Sequence, residues 1–178
     1  MKFNIGCGVR NFGDDWFHID GANYNHIKSN DIYLKTFKND SADLIYASHF
    51  IEYFDRDEIL AILASWKKVL KKNGVLRLAV PDFQSCVKLY TKKLFPLENF
   101  LGPIYGKMKL GEEFIYHKTI FDFESIFKLL KQVGMKNIEK YDWRNTEHAK
   151  FDDHSQAYLP HMDKERGTLI SLNVECTK

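Results

Sequence analysis

The stretch FNIGCGVRNFGDDWFHID, residues 3–20, decides the fold. An apolar segment at residues 3–7 contains Gly6 and leads into Gly8, and a second apolar segment at 16–20 ends on Asp20. Glycines at the end of a strand let the backbone approach a ligand, and an acid at the tip of the next strand can accept hydrogen bonds from both hydroxyls of a ribose. The pattern therefore predicts a nucleotide pocket at the start of an α/β sheet.

The spacing of this stretch departs from the dinucleotide-binding pattern. A third glycine is absent, and the acid lies closer to the glycines than the usual separation of about 20 residues. Only seven residues separate Gly8 from the segment that begins at residue 16, whereas a full crossover helix needs about a dozen. We therefore expect a bare turn or one helical turn there. A tight turn that binds no ligand, with Asp20 starting the next loop, is the alternative.

The rest of the chain alternates apolar runs with helical periodicity. One helix is predicted to begin after Asp55 and a second after Asp122, because each aspartate has the spacing of an N-cap residue. The segment 84–117 is the least regular, and we predict an insertion or lid there. Alternation of strands with helices indicates an α/β sheet, mostly parallel. Further strands are predicted at residues 43–48, 75–80, 136–143 and 167–176.

Composition narrows the class of protein. The 178 residues carry 26 basic and 24 acidic side chains, so the formal charge is +2, and this balance argues against a nucleic-acid partner. The length predicts a single domain, residues 1–178. The three cysteines, Cys7, Cys86 and Cys176, have no zinc-site spacing and are expected to be free thiols in a reducing cytoplasm. No signal peptide or membrane span is expected, and the oligomeric state stays open.

Four stretches taken in order carry a resemblance to a known family. They are NIGCG…WFHIDG, DSADLIYASHFIEYF, WKKVLKKNGVLRLAVPDF and FDFESIFKLLKQVGM, spread over nearly the whole chain. The set resembles small class I S-adenosylmethionine-dependent methyltransferases, most of all predicted ones found among bacterial surface-polysaccharide genes. The resemblance implies a Rossmann-like seven-stranded sheet, mostly parallel with an antiparallel last strand, with helices on both faces. It also implies S-adenosyl-L-methionine as the cofactor.

The resemblance assigns cofactor-binding roles residue by residue. Gly6, Cys7 and Gly8 match the turn that contacts the methionine part of the cofactor. Asp20 matches the ribose-binding acid, and Asp31 matches the acid that meets the adenine amine or is a plain loop acid. Ser48 and His49 follow the fourth strand, where the chain passes the sulfonium. Asn4 stands where the family often has an acid, so it can hydrogen-bond but carries no charge.

Methyl transfer to a hydroxyl benefits from a general base, and histidine is suited to this role near neutral pH. Three residues are candidates for the base. His49 ranks first because it follows the fourth strand, His117 second because it follows the predicted lid, and Asp82 third because it ends the fifth strand. His49 could equally orient the cofactor, and Asp82 could be an N-cap.

The segment 151–163, FDDHSQAYLPHMD, is unusually polar. It contains Asp152, Asp153, His154, His161 and Asp163. Divalent-metal ligands and groups that bind sugar hydroxyls are two interpretations, and a solvated loop is the third. We commit to no metal.

The sequence thus predicts a cytoplasmic methyltransferase whose acceptor is a small molecule, a carbohydrate or sugar-nucleotide hydroxyl of polysaccharide biosynthesis. The carbohydrate rests on the family association alone. A non-catalytic binding or assembly protein on a methyltransferase scaffold is the competing hypothesis, and a fold that binds a different nucleotide is a third.

Overall fold

A seven-stranded sheet forms the centre of the structure, a computed structural model that describes residues 1–178. The strands, numbered in chain order, are β1 (Lys2–Ile5), β2 (Trp16–Ile19), β3 (Ile27–Ser29), β4 (Ala42–Ser48), β5 (Leu70–Pro81), β6 (Met108–Leu110), β7 (Glu113–Ile115), β8 (Lys136–Lys140), β9 (Tyr158–Leu159), β10 (Thr168–Leu169) and β11 (Ser171–Thr177). The order in the large sheet is β3-β2-β1-β4-β5-β11-β8. Strand β11 runs antiparallel to both neighbours, and the remaining pairs are parallel. The predicted fold class is confirmed.

Four α-helices accompany the sheet: α1 (Arg56–Val69), α2 (Phe83–Thr91), α3 (Glu98–Tyr105) and α4 (Phe123–Gln132). The predicted helix starts are confirmed, because Asp55 and Asp122 each form a capping box with the residue three positions on. None of these helices combines the length and the apolar character needed to cross a bilayer.

The two faces of the sheet are covered differently. Helices α1 and α4 share one core cluster with alternate strand residues such as Ile45 and Ala47. The opposite face, with Leu44 and Tyr46, packs against Phe12 and Phe151, which lie in irregular segments. The short crossover after β1 contains no helix, so irregular segments cover this part of the second face.

The segment 84–117 is more regular than expected. It contains most of α2, the whole of α3 and an antiparallel hairpin of β6 and β7. Helices α2 and α3 meet in a second core cluster, where Cys86, Leu89 and Phe100 pack against Leu159 and Ile170. A lid function for this segment stays a prediction.

Candidate active site

The carboxyl ends of β1, β2 and β4 meet at one edge of the sheet, which brings most of the predicted cofactor-binding residues together. The Asp20 carboxylate accepts hydrogen bonds from the backbone N–H groups of Gly8 and Ala22, both at 2.8 Å. A Cβ added at Gly8 would meet no atom within 4 Å, so this glycine faces open space. The acid and the open glycine therefore sit side by side, as a ribose site requires.

Packing against Phe50 requires glycine at position 6, and the predicted contact of Gly6 with the cofactor stays a prediction. The φ of Gly6 is +70°, and a Cβ at this position would lie 2.3 Å from the ring of Phe50. Close packing of an aromatic side chain, together with the left-handed backbone, therefore requires glycine here. Gly8 faces open space instead, while Gly6 lines the small cavity described next.

Buried polar atoms without partners surround a small cavity next to this turn. The Nδ2 of Asn4 and the Oγ of Ser48 are buried and make no hydrogen bond. Both residues line a cavity of about 10 Å³, which Arg10, Asp153 and His154 also line. Unpaired buried polar groups are costly, so these two atoms are available to a ligand.

Cys7 and Asp31 differ in the charge that they can present to a ligand. Burial, with the nearby Asp20 carboxylate, raises the pKa of the Cys7 thiol to about 12, so it stays protonated. Burial opposes ionisation of Asp31, but hydrogen bonds from the backbone and hydroxyl of Thr36 outweigh it and lower its pKa. Asp31 is therefore an ionised acceptor two residues beyond the end of β3, in the position predicted for an adenine contact.

These residues fit S-adenosylmethionine in kind and position. Asp20 and Gly8 suit a ribose, Asp31 suits an amine, and the orphaned atoms of Asn4 and Ser48 suit the polar methionine end. The cavity holds about one water molecule, however, so the methionine end requires the segments around Arg10 and His154 to separate. A hydrogen bond from Arg10 Nε to the carbonyl of Asp152, 2.8 Å long, joins these two segments.

A buried carboxyl group lies between two of the predicted histidines. Glu52 is fully buried, and neither of its oxygens has a hydrogen-bond partner. Its Oε1 is 3.7 Å from Nδ1 of His49 and 3.8 Å from Nε2 of His117. His154 stands beside His49, with the ring centroids 5.1 Å apart. The structure thus brings His49 and His117 together around a group that sequence reasoning missed.

The hydrogen-bond partners of His49 assign its proton. The amide nitrogen of Asn173 donates to the carbonyl of Ser155, so its Oδ1 accepts from the hydroxyl of Ser171. Ser171 Oγ is then an acceptor for His49 Nε2, 3.3 Å away. In the neutral ring the proton is consequently on Nε2, and Nδ1 presents its lone pair toward Glu52.

The same reasoning applies to His117. Its Nδ1 is 3.1 Å from the carbonyl oxygen of Pro103, which can only accept, so Nε2 is the unprotonated nitrogen.

The lone pairs of two imidazole rings, on His49 Nδ1 and His117 Nε2, therefore face one carboxyl oxygen of Glu52. A neutral Glu52 that carries a proton is compatible with both, and burial accordingly raises the pKa of Glu52 to about 8. Burial also lowers the pKa of His49 well below 6.5 and lowers that of His117, so both rings are neutral at pH 7.

The substitution Glu52→Gln is expected to flatten the pH dependence of stability. Glu52 is neutral in the folded chain up to pH about 8 but ionises near 4.5 when unfolded, so folding takes up a proton between these values. The contribution to stability is complete below pH 4.5 and falls as the pH rises to about 8.

Wild type should therefore lose about 1.4 kcal/mol per pH unit relative to the variant in this window. Urea unfolding of both proteins at about pH 5.5, 6.5 and 7.5 measures the difference. If the free energies of unfolding of wild type and Glu52→Gln differ by the same amount at all three pH values, Glu52 is not protonated in the folded chain.

Asp82, Asp152 and Asp153 make structural contacts, whereas His154 of the same polar segment lies beside His49. Asp82 caps α2, and its carboxylate accepts from the N–H and hydroxyl of Ser85, which favours the N-cap interpretation. Asp153 is buried and accepts from Tyr46 Oη at 2.6 Å, while Asp152 pairs with Lys164 at 2.8 Å. No His, Cys, Asp or Glu side chains form a group of three that could hold a metal ion.

One sequence signal could have identified Glu52. It follows His49 by three residues in SHFIEYF, in the short segment that joins the carboxyl end of β4 to α1. By contrast, no local pattern indicates Arg10, which reaches the site through a contact 142 residues away in sequence.

Comparison with known proteins agrees with the geometry. Residues 16–78 match the family model of a methyltransferase domain. No curated protein matches significantly. Among solved structures, an S-adenosylmethionine-dependent methyltransferase from Archaeoglobus fulgidus is similar, with 15% identity, a TM-score of 0.59 and coverage of 99% of this chain and 85% of that chain.

Two further structures are similar to this chain. A methyltransferase from Methanosarcina mazei shares 16% identity, with a TM-score of 0.60 and coverage of 99% and 91% of the two chains. The 1,6-didemethyltoxoflavin-N1-methyltransferase of Burkholderia thailandensis, solved with S-adenosylhomocysteine, shares 10% identity, with a TM-score of 0.57 and coverage of 99% and 70%. The solved structures confirm the fold, and the family match to residues 16–78 agrees with it.

Proposed function

We propose that this chain transfers a methyl group from S-adenosylmethionine to a hydroxyl of a small-molecule acceptor, and that the acceptor is a sugar or sugar nucleotide. The observation that carries the proposal is the grouping at one sheet edge of an open Gly8 beside Asp20 with a neutral His49. The sugar acceptor, a role in polysaccharide biosynthesis and a cytoplasmic location are supported only by the family resemblance of the sequence.

The roles of the residues follow from their chemistry. When bound, S-adenosylmethionine would supply a methyl group on a sulfonium, which an acceptor oxygen displaces in line. Asp20 and Asp31 would hold the nucleoside, and Asn4 and Ser48 would bind the methionine end through their orphaned atoms. The acceptor oxygen forms its bond to the methyl carbon as the carbon–sulfur bond breaks, and its proton passes to a base.

His49 is the proposed base. Ser171 accepts from its Nε2–H and so keeps the lone pair on Nδ1, and the ring is only 13% exposed. Glu52 would act as a positioning residue, because its carboxyl group lies 3.7 Å from Nδ1 and makes no hydrogen bond to it, so Glu52 flanks the ring without occupying the lone pair. His117 lies on the other side of Glu52 and is only 3% exposed, so His49 ranks before it as the more accessible base.

One observation favours the second candidate function, a non-catalytic binding protein. The cavity beside Asn4 and Ser48 is about 10 Å³, far too small for the methionine portion. A scaffold that has lost the cofactor would have such a closed site. In the catalytic proposal, the contact between Arg10 and Asp152 opens on binding instead.

A calorimetric titration tests the proposal. S-adenosylmethionine and S-adenosylhomocysteine should bind with dissociation constants in the range of about 1–100 μM, while NAD and ATP should bind at least about tenfold more weakly. Methyl transfer is then measured with labelled S-adenosylmethionine and a panel of free sugars and sugar nucleotides. Failure of both adenosyl ligands to bind at millimolar concentration would favour the non-catalytic alternative, and tighter binding of NAD or ATP would indicate a different nucleotide site.

A further inference from the structure

The segment Phe83–Ile120 carries most of the apolar surface of the molecule. Twelve of the fifteen exposed large hydrophobic side chains lie in these residues. The most exposed, between 44% and 58%, include Tyr90, Leu94, Leu97, Leu101, Tyr105 and Phe114. Single exposed hydrophobic residues are ordinary, but a concentration of this kind in a soluble chain marks an interaction site.

The packing of α2 and α3 gives both helices an outward apolar face. Cys86 and Leu89 of α2 and Phe100 of α3 point inward to the same small core cluster. Leu101 and Tyr105 of α3 are exposed, as is Tyr90 of α2. Both helices are therefore apolar on two sides, and the outer sides have no partner within the chain.

The charge of this surface identifies its partner. Residues 83–120 contain six lysines and three glutamates, a formal +3, whereas the whole chain is only +2. Lys88, Lys92 and Lys93 are exposed around the end of α2, and Lys107 Nζ lies 4.4 Å from the ring centroid of Phe114 on the hairpin. A second copy of this chain would bring lysines against lysines, which disfavours self-association through this surface.

We propose that the surface of residues 83–120 binds an anionic lipid membrane. Leucine and phenylalanine side chains can enter the boundary between headgroups and acyl chains, tyrosine is favoured at that depth, and lysine is attracted to acidic headgroups. The combination of an exposed apolar surface with local excess of lysine is the feature that distinguishes a membrane surface from a purely apolar partner.

This surface is continuous with the candidate active site. Tyr53 Oη donates to the carbonyl of Gly106 at 2.8 Å, and the N–H of His117 donates to the carbonyl of Tyr105 at 2.8 Å. The side chain of Leu110 on the hairpin lies 3.8 Å from the Cβ position of Gly21, next to Asp20. Membrane binding would therefore hold the site beside lipid-attached acceptors, a consequence that rests on the proposed function.

Co-sedimentation with lipid vesicles tests the proposal without any catalytic step. The full chain should pellet with vesicles of phosphatidylcholine and phosphatidylglycerol, bind vesicles of phosphatidylcholine alone at least about tenfold more weakly, and be released by salt at about 0.5 M. Equal binding to both vesicle types, or no binding to either, would overturn it.

Two variants and a matched control assign the binding to this surface. Lys92→Glu with Lys93→Glu should weaken vesicle binding at least about tenfold, and Leu94→Glu with Leu101→Glu should weaken it to a similar extent. Lys131→Glu with Lys136→Glu, which reverses two exposed lysines elsewhere, should leave binding within about twofold. Circular dichroism and binding of S-adenosylhomocysteine report whether each variant is folded.

Equal losses in the control and the surface variants would overturn the proposal, as would a dimer in solution that the Leu94 and Leu101 variant dissociates. Vesicle binding is measured without methyl transfer. Failure of vesicle binding would therefore overturn only the membrane proposal, and failure of cofactor binding would overturn only the proposed function.

Discussion

Replacing Asp20 by alanine is expected to weaken the binding of S-adenosylhomocysteine about 100-fold, because two hydrogen bonds from ribose hydroxyls to a carboxylate are lost. Asp20 also accepts from the backbone N–H groups of Gly8 and Ala22, so the substitution removes a support of the glycine turn as well as a ligand contact. The loss of the ligand contact and the loss of support for the turn both weaken binding. Isothermal titration calorimetry of the purified proteins measures the change.

Two variants separate the contributions to this effect. Asp20→Asn keeps a side-chain oxygen that can accept from the turn but removes the charge, so its affinity should lie between those of wild type and Asp20→Ala. Asp15→Ala removes an exposed acid from the same connection and should leave the dissociation constant within about twofold. Equal affinity of wild type and Asp20→Ala would mean that the nucleoside does not bind at this edge of the sheet.

The second large effect concerns the proposed base. His49→Gln is expected to lower kcat by about 10²- to 10⁴-fold, because glutamine can donate to Ser171 but offers no imidazole lone pair to take the acceptor proton. Affinity for S-adenosylhomocysteine should change by less than about threefold, which separates a base from a cofactor contact. Initial rates at saturating cofactor and acceptor measure kcat.

The pH profile and a second histidine provide the controls for His49. Burial keeps the pKa of His49 well below 6.5, so the rate should not fall through protonation of this ring between about pH 8 and 6.5. His161→Gln changes an exposed histidine for which the structure assigns no contact with the His49 cluster, and kcat should be unchanged. An unaltered kcat in His49→Gln would remove His49 from the chemistry and leave His117 as the next candidate.

Local patterns predicted much of the fold. The capped starts of α1 and α4 and the strands next to them follow from N-cap spacing and apolar periodicity, which act over a few residues. Strand β3 was not predicted, because its three residues are too short to show a period. The cover of the second sheet face by Phe12 and Phe151 was also not predictable, since it depends on segments far apart in sequence.

The candidate site was predictable where it follows strand ends. Asp20 and His49 come directly after a strand and Gly8 follows the end of β1 by three residues, so the topology alone places them at one edge. The role of Gly6 depends on the ring of Phe50, and the protonation of Glu52 depends on burial between two histidines. Both are consequences of tertiary packing, which single-residue patterns do not contain.

A crystal structure with S-adenosylhomocysteine tests most directly whether the cofactor binds at the carboxyl ends of β1, β2 and β4. We expect the ribose hydroxyls on the carboxylate of Asp20, the adenine near Asp31, and the sulfur beside Ser48 and His49, with the contact between Arg10 and Asp152 opened. A ligand bound elsewhere, or the nucleoside placed away from Asp20 with the cavity beside Asn4 still closed, would contradict this expectation.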